Sequence, residues 1–225
     1  MEYEGEENLN IMKAATNYNK WLVDMICALT EYKDNILDFG SGDGFFAKSV
    51  SQQLNKEVIC IEPADNLHKY YLQKPLTSLE ELREASIDLI YSLNVLEHIE
   101  DDKDIVDKFY HAIKPSGTVF LYLPAFPCLW SSMDKLVGHY RRYTKKDVRR
   151  LFDTERWKIE EIRYADFCGW FITMLFKLIG SKSGKIKGSE IRIYDKYIFP
   201  LSLLLDKITK GKLMGKNIII KATKK

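Results

Sequence analysis

The sequence lacks the features that mark several classes of protein. It contains no run of about 18 apolar residues, which argues against a membrane-spanning helix, and its N-terminus is acidic where a secretory signal would be basic. The four cysteines lie more than thirty residues apart without a close Cys or His partner, so we expect neither a metal site nor a redox pair. Repeats and low-complexity tracts are also absent. We therefore expect a globular protein of a reducing compartment, the cytoplasm.

Composition and charge narrow this expectation. The 225 residues are 46% hydrophobic and 29% charged, which is typical of soluble domains. The net charge of +2 is unevenly divided. Residues 1–165 hold 21 basic and 28 acidic side chains, whereas residues 166–225 hold 13 basic and 4 acidic ones. The second part is therefore suited to an anionic partner.

Strand-like and helical segments alternate along the chain. Strands are predicted at 35–39, 57–61, 87–93, 117–123, 158–164 and 216–223, with a weak one at 74–78, and helices at 18–29, 44–54 and 103–113. The strands are rich in Ile, Val and Leu without polar alternation, which indicates a parallel sheet covered by helices on both faces. We therefore predict a doubly wound α/β fold.

A glycine-rich loop follows the first predicted strand. In Asp38–Gly44, glycines alternate with other residues, which lets the backbone turn tightly and lets a ligand approach the main chain. Glu62 stands eighteen residues beyond Gly44, at the end of the next strand, where a carboxylate can bind both hydroxyls of an adenosine ribose. Asp38 and Asp43 oppose a pyrophosphate but suit the cationic S-adenosylmethionine (SAM). The pattern predicts a nucleoside site and favours SAM over a nicotinamide dinucleotide.

Four successive motifs resemble those of class I SAM-dependent methyltransferases. They are Asp38–Gly44, Glu62-Pro63, the strand 87–90 with the segment 94–99, and the segment 114–119. The resemblance implies a seven-stranded, Rossmann-like, mostly parallel sheet whose last strand is antiparallel. It also implies SAM-binding roles for nine residues: Tyr18, Asp38, Gly40, Ser41, Gly42, Glu62, Pro63, Leu79 and Asn94. Among these, Gly40 and Gly42 would pass the methionine part, and Glu62 would hold the ribose. Pro63 and Leu79 would flank adenine, and Asn94 would line the floor of the cofactor pocket. Ser78 stands where the family often has an acid, and Tyr18 resembles an aromatic cap that ordinary helix packing would also explain.

Two histidines are candidate catalytic bases. Methyl transfer requires in-line placement of the acceptor and removal of one proton, and histidine is the natural base near neutral pH. His98 follows the predicted strand 87–93, close to where the family places the transferred methyl group. His139 lies in a loop with two aromatic residues and two arginines, which suits an anionic or planar substrate. The structural alternatives are that His98 caps the next helix or closes the cofactor pocket, and that His139 belongs to a solvated basic helix start.

The segment 166–214 is an insertion before the last strand. We expect an α/β core at 1–165, a helical lid or membrane-facing insertion at 166–214, and the last core strand at 215–225. The insertion contains two apolar runs, 167–179 and 197–205, which are joined by a Gly- and Lys-rich stretch at 180–188. Aromatic-rich helices bounded by lysines suit an anionic lipid surface. We favour instead a helical lid that packs over the active site or against a second subunit. Peripheral membrane contact is left open.

These patterns predict a SAM-dependent methyltransferase that acts on a small or lipid-linked molecule, at oxygen. Nucleic acid is not the expected substrate, because the basic charge lies in an apolar segment and Asn94–Glu97 replaces the Asn-Pro-Pro-Tyr loop of enzymes that methylate nucleic-acid amino groups. Two alternatives are a nonenzymatic module that binds SAM-related ligands and a nicotinamide-dependent oxidoreductase.

Overall fold

A mixed β-sheet forms the centre of the protein in the computed structural model, which describes residues 6–179 and 188–225. The strands are β1 (Ile36–Phe39), β2 (Val58–Ile61), β3 (Ile87–Leu93), β4 (Ile113–Pro124), β5 (Trp157–Ala165) and β6 (Asn217–Lys224). Their order in the sheet is β2-β1-β3-β4-β6-β5. The first four in this order are parallel, and β6 is antiparallel to both of its neighbours.

Helices cover both faces of this sheet. Those in the described part are α1 (Glu6–Met12), α2 (Thr16–Cys27), α3 (Phe45–Leu54), α4 (Asp102–Ala112), α5 (Ser132–Leu136), α6 (Lys145–Leu151), α7 (Phe167–Ile179), α8 (Gly188–Ile193) and α9 (Phe199–Thr209). Apolar residues of α2 and α3 pack on one face, and those of α4 and α6 pack on the other.

Neighbouring residues of one strand enter opposite core layers. Ile36 and Leu89 pack with α2, whereas Leu37 and Ile90 pack with α4, because successive side chains of a strand point to opposite faces. All four are completely buried. The prediction of an α/β fold with a mostly parallel sheet is confirmed, and the carboxyl ends of β1 to β4 meet at one edge.

The prediction of a seventh strand is wrong for the part of the chain that the structure describes, where the sheet has six strands. Residues 74–78 contribute only an isolated parallel bridge, through Leu76. Pro75 has no N–H to donate. The backbone N–H groups of Thr77 and Ser78 donate to Oε1 of Glu81, at 2.7 and 3.1 Å. These amides therefore stabilise a turn and are not available to a strand ladder.

The helices between β5 and β6 are anchored to α2. The carboxylate of Asp195 accepts hydrogen bonds from the backbone N–H groups of Asn17 and Tyr18, at 2.9 and 2.8 Å. It therefore satisfies two free amides at the start of α2. Phe199 is completely buried, and its ring packs edge-on against the rings of Tyr18 and Trp21. One side of the insertion is thus part of the core.

The two apolar runs of the insertion are helical. The run predicted at 167–179 coincides with α7, and the run at 197–205 spans the end of a π-helical turn (Tyr194–Ile198) and most of α9. Of the Gly- and Lys-rich stretch, residues 180–187 lie outside the described residues. None of the described helices is long and apolar enough to cross a membrane.

Candidate active site

The glycine loop joins β1 to α3 at the carboxyl edge of the sheet. Gly40, Gly42 and Gly44 all have left-handed backbones, with φ of +73°, +60° and +74°. A Cβ atom on Gly40 would lie 2.5 Å from Val95, in the loop after β3. A Cβ atom on Gly42 would meet only Leu9 of α1, at 3.6 Å. Close approach of two loops therefore requires glycine at position 40, whereas backbone conformation favours it at position 42.

The carboxylate of Glu62 is tied to this loop. Its Oε2 accepts a hydrogen bond from the backbone N–H of Gly42 at 2.7 Å, and its Oε1 accepts one from that of Ala64 at 2.9 Å. Burial raises the pKa of Glu62, although these two donors oppose the change. Each carboxylate oxygen keeps a further lone pair. The predicted ribose ligand therefore lies beside Gly42 with capacity to accept more hydrogen bonds.

Asp38 is a buried acid just before the loop. It is buried, and its Oδ2 accepts no hydrogen bond from any described residue. Burial, with the neighbouring charge of Glu62, raises the pKa of Asp38 to about 8. A buried carboxylate is costly unless it is protonated or paired with a cation. Its position therefore suits a cationic ligand.

Tyr18 and Asn94 meet where β3 and β4 end. The Tyr18 ring packs against that of Tyr122, with centroids 6.1 Å apart, and its hydroxyl lies beside Asn94. Asn94 has a left-handed backbone with φ of +54°, and its Oδ1 accepts a hydrogen bond from Asn217 at 3.1 Å. Burial raises the pKa of Tyr18, so the phenol stays neutral. The residues predicted to cap the cofactor and to line its floor are neighbours.

The other residues predicted to bind the cofactor lie in different environments. The Ser41 hydroxyl shares a 2.7 Å hydrogen bond with the hydroxyl of Tyr71. Pro63 is exposed, whereas Leu79 is buried in the core layer on the α4 side. Ser78 is the N-cap of the short turn that Leu79 begins. Roles for Pro63 and Leu79 beside adenine stay predictions.

The two candidate catalytic histidines lie together, although forty residues separate them. Their rings pack edge-on, with centroids 4.6 Å apart. Nε2 of His139 is 3.8 Å from Oε1 of Glu97. Glu97 is completely buried, neither of its carboxylate oxygens has a hydrogen-bond partner among the described residues, and burial raises its pKa to about 8. Burial also lowers the pKa of His98 to about 4, so that its ring is neutral at pH 7.

A buried ion pair orients His139. Nδ1 of His139 lies 2.8 Å from Oδ1 of Asp134, and Nε of Arg142 lies 2.8 Å from the same oxygen. Burial alone would raise the pKa of Asp134, but the hydrogen bonds from His139 and Arg142 keep it well below its usual range. Asp134 therefore stays charged, which favours the proton on Nδ1 of His139 and leaves Nε2 as an acceptor.

Sequence reasoning missed Glu97, Asp134 and helix α1. Two features of the sequence could have indicated these acids. Glu97 precedes His98 shortly after a buried strand, and Asp134 lies five residues before His139. Neither spacing shows that the two loops meet. Helix α1 covers the glycine loop with Leu9 over Gly42, and Lys13, just after the helix, forms an ion pair with Asp43.

Comparison with known proteins identifies the family. A sequence model described as a methyltransferase domain matches residues 13–169, which include the glycine loop, Glu62 and both histidines. The chain belongs to this methyltransferase family. The predictions of a class I SAM-dependent methyltransferase and of SAM as its cofactor are thereby confirmed.

One curated relative of this methyltransferase is the mitochondrial ubiquinone biosynthesis O-methyltransferase of Dictyostelium discoideum. The two are 22% identical over 178 residues, which is 62% of this chain and 56% of the relative. The chain thus matches little more than half the length of that protein.

Solved structures of other methyltransferases share the fold. A SAM-dependent methyltransferase of Thermotoga maritima, described as a possible histamine N-methyltransferase, has a TM-score of 0.61 at 12% identity, with 99% of this chain and 98% of that one covered. Phosphoethanolamine N-methyltransferase 2 of Haemonchus contortus, solved with SAM, has a TM-score of 0.56 at 18% identity, with 93% and 52% covered.

Proposed function

We propose that the protein transfers the methyl group of SAM to a hydroxyl oxygen of a small or lipid-linked molecule. The observation that carries this proposal is the oriented His139, which lies in one cluster with Glu97 and His98. The cluster adjoins the cofactor loop, because Val95 in the same loop as Glu97 contacts Gly40. An acceptor bound at this cluster would lie next to the methionine end of the cofactor.

The residues of the glycine loop fit SAM. Gly40 and Gly42 offer backbone without a Cβ atom, and Glu62 would accept hydrogen bonds from the ribose. The buried Asp38 would balance the positive charge of the methionine part. SAM supplies an electrophilic methyl group on a sulfonium. Tyr18, which lies beside Asn94, would cover the methionine part from α2.

The state of Asp38 predicts how SAM binding depends on pH. Its pKa of about 8 in the free protein means that most of this carboxyl is protonated at pH 6. A cationic ligand favours the carboxylate, so binding releases a proton, and affinity should rise from pH 6 to 7.5 by up to about tenfold per pH unit. Calorimetry in two buffers of different ionisation enthalpy measures both the affinity and the proton. Asp38→Asn should remove the released proton and flatten the profile. An affinity that stays constant across this range in the wild-type protein would contradict a cation beside Asp38.

The cluster can accept the proton that the reaction releases. The acceptor oxygen forms a bond to the methyl carbon while the carbon–sulfur bond breaks, and that electron pair stays on sulfur. The hydroxyl proton passes to Nε2 of His139, and Asp134 stabilises the resulting imidazolium. The other polar groups around it, Glu97 and His98, would orient the acceptor.

The outer face of the insertion supports a lipid-linked acceptor. Large apolar side chains are exposed along α7 and α9: Phe171, Leu175, Phe176, Leu178, Leu201, Leu204 and Ile208. On α9 they recur at the spacing of one helix face. Exposed lysines border them, including Lys207 and Lys210. Such a surface suits an anionic bilayer, whereas the inner face, with Phe199 on Tyr18, suits a lid.

We expect the wild-type protein to sediment with vesicles that contain phosphatidylglycerol, and to do so much less at high salt. Each lysine near an anionic bilayer contributes about 1 kcal/mol, and salt screens this attraction. Phe176→Ser and Leu204→Ser should weaken binding, whereas Tyr32→Ser, at a remote position that is 94% exposed, should not. Equal sedimentation of all four proteins would exclude this surface.

The proposed reaction is tested by methyl incorporation. Purified protein and SAM labelled in the methyl group are incubated with the lipid and the small-molecule fractions of a cell extract. We expect label in a product from which it is not released by mild base, since an ether is stable there and an ester is not. SAM binding without incorporation into either fraction would favour the nonenzymatic module instead.

A further inference from the structure

Glu97, His98 and His139 have the arrangement of a metal-binding site. One potential ligand atom from each residue lies within 4.8 Å of the others. The 3.8 Å between Oε1 of Glu97 and Nε2 of His139 is already close to the roughly 3.4 Å between two ligand atoms on one zinc ion. A small movement of side chains would therefore complete the site.

Glu97 is a buried acid whose carboxylate oxygens are free to bind a cation. The side chain is completely buried, and neither carboxylate oxygen has a hydrogen-bond partner among the described residues. Buried carboxylates are normally paired, hydrogen-bonded or bound to metal. Nε2 of His139 lies 3.8 Å from Oε1 of Glu97, but Asp134 favours this nitrogen as an acceptor rather than a donor.

Both histidines are oriented as metal ligands usually are. A histidine ligand commonly donates its second ring N–H to a carboxylate or a backbone carbonyl, which fixes the free nitrogen on the metal. Nδ1 of His139 meets Asp134 at 2.8 Å, and Arg142 holds that carboxylate in place. His98 is hydrogen-bonded to the backbone at Val137 and Gly138.

We propose that Glu97, His98 and His139 bind one divalent transition-metal ion of the zinc type. Two imidazole nitrogens and one carboxylate oxygen suit Zn²⁺ or a neighbouring first-row metal, whereas Mg²⁺ and Ca²⁺ prefer oxygen ligands. Three protein ligands leave a coordination position open. In the metal-bound protein, Nε2 of His139 would be a ligand and not the base. An acceptor hydroxyl at the open position would be made more acidic by the metal and would release its proton to water. This role rests on the proposed function, but metal binding itself does not.

The test is calorimetric titration of chelator-treated protein with Zn²⁺ and, separately, with Co²⁺. We expect one equivalent to bind, a higher melting temperature, and a visible absorption band with Co²⁺. Glu97→Gln and His139→Gln should each weaken Zn²⁺ binding at least 100-fold, and Asp134→Asn about 10- to 100-fold. His111→Gln is the matched control, because His111 is exposed and lies 4.0 Å from Glu84, outside the cluster. The affinity of His111→Gln for Zn²⁺ should equal that of the wild type.

Two results would overturn the proposal. One is the absence of stoichiometric binding to the wild-type protein. The other is equal binding by the wild type and by a Glu97→Gln variant whose circular dichroism shows that it is folded, since the metal would then lie elsewhere. SAM titration and methyl incorporation by the metal-free protein are measured in parallel. Failure of the metal site with both of these retained leaves the methyltransferase proposal standing.

Discussion

His139→Gln is expected to lower the rate of methyl incorporation about 100- to 10,000-fold, the range for loss of a general base. Glutamine fills similar space but cannot take up a proton. The affinity for SAM should change less than about twofold, because His139 interacts with Asp134, Glu97 and His98, none of which belongs to the glycine loop. The rate is measured in single turnovers at saturating SAM, and the affinity by calorimetry.

Two comparisons separate this role from a structural one and from metal binding. Asp134→Asn leaves the imidazole in place but removes the charge that orients it, so it should lower the rate while SAM affinity is kept. Chelator-treated wild type and chelator-treated His139→Gln are compared as well. A rate difference that persists without metal is the contribution of the base. Equal rates in the chelator-treated pair would show that His139 accepts no proton.

The sheet could be predicted from sequence because strands buried on both faces are rich in apolar residues and lack polar alternation. β1, β3 and β4 are rich in apolar residues without polar alternation, and their predicted bounds agree with the structure to within a few residues. The segment 74–78, which was wrongly predicted to be a strand, has no such apolar run. Its amides are used by the Glu81 carboxylate, and that competition is a local side-chain effect which apolar periodicity does not report.

The sequence predicted the cofactor-binding residues and the candidate catalytic histidines separately, but not how the two histidines come together. Asp38, the glycine loop and Glu62 follow one another closely in sequence, so their proximity follows from a single strand–helix–strand unit. His98 and His139 come from different loops, and their contact depends on how the segment after β4 folds back over β3. The backbone N–H of Tyr140 donates to the carbonyl of Glu97 at 2.7 Å. This long-range contact brings the two halves of the cluster together.

The anchoring of the insertion was equally beyond sequence reasoning. Asp195 caps α2 from 178 residues away along the chain. Because α2 carries Tyr18, the position of the insertion is coupled mechanically to a residue proposed to cover the cofactor. The long-range hydrogen bonds therefore link the lid-like inner face to the SAM site.

Gly42→Val is expected to reduce SAM binding at least about 100-fold. The residue has φ of +60°, where a β-branched side chain is a genuine outlier, and a left-handed conformation costs an ordinary residue about 1–2 kcal/mol. Relief of this strain would move the Gly42 N–H away from Oε2 of Glu62, a charge-assisted hydrogen bond worth about 1.5–3 kcal/mol. The ligand would then lose both the open backbone and the acid placed to hold its ribose. Calorimetry with SAM and with S-adenosylhomocysteine measures the loss.

The control for this variant is Tyr32→Val. Tyr32 also has a left-handed backbone, with φ of +58°, but it is exposed in the turn before β1. The Tyr32→Val variant tests whether a β-branched residue in this conformation weakens SAM binding through a general loss of stability. Since a Cβ atom on Gly42 meets only Leu9, at 3.6 Å, the variant should fold. Normal SAM affinity in folded Gly42→Val would show that the loop serves only the packing of β1 against α3, and that Glu62 holds no ribose there.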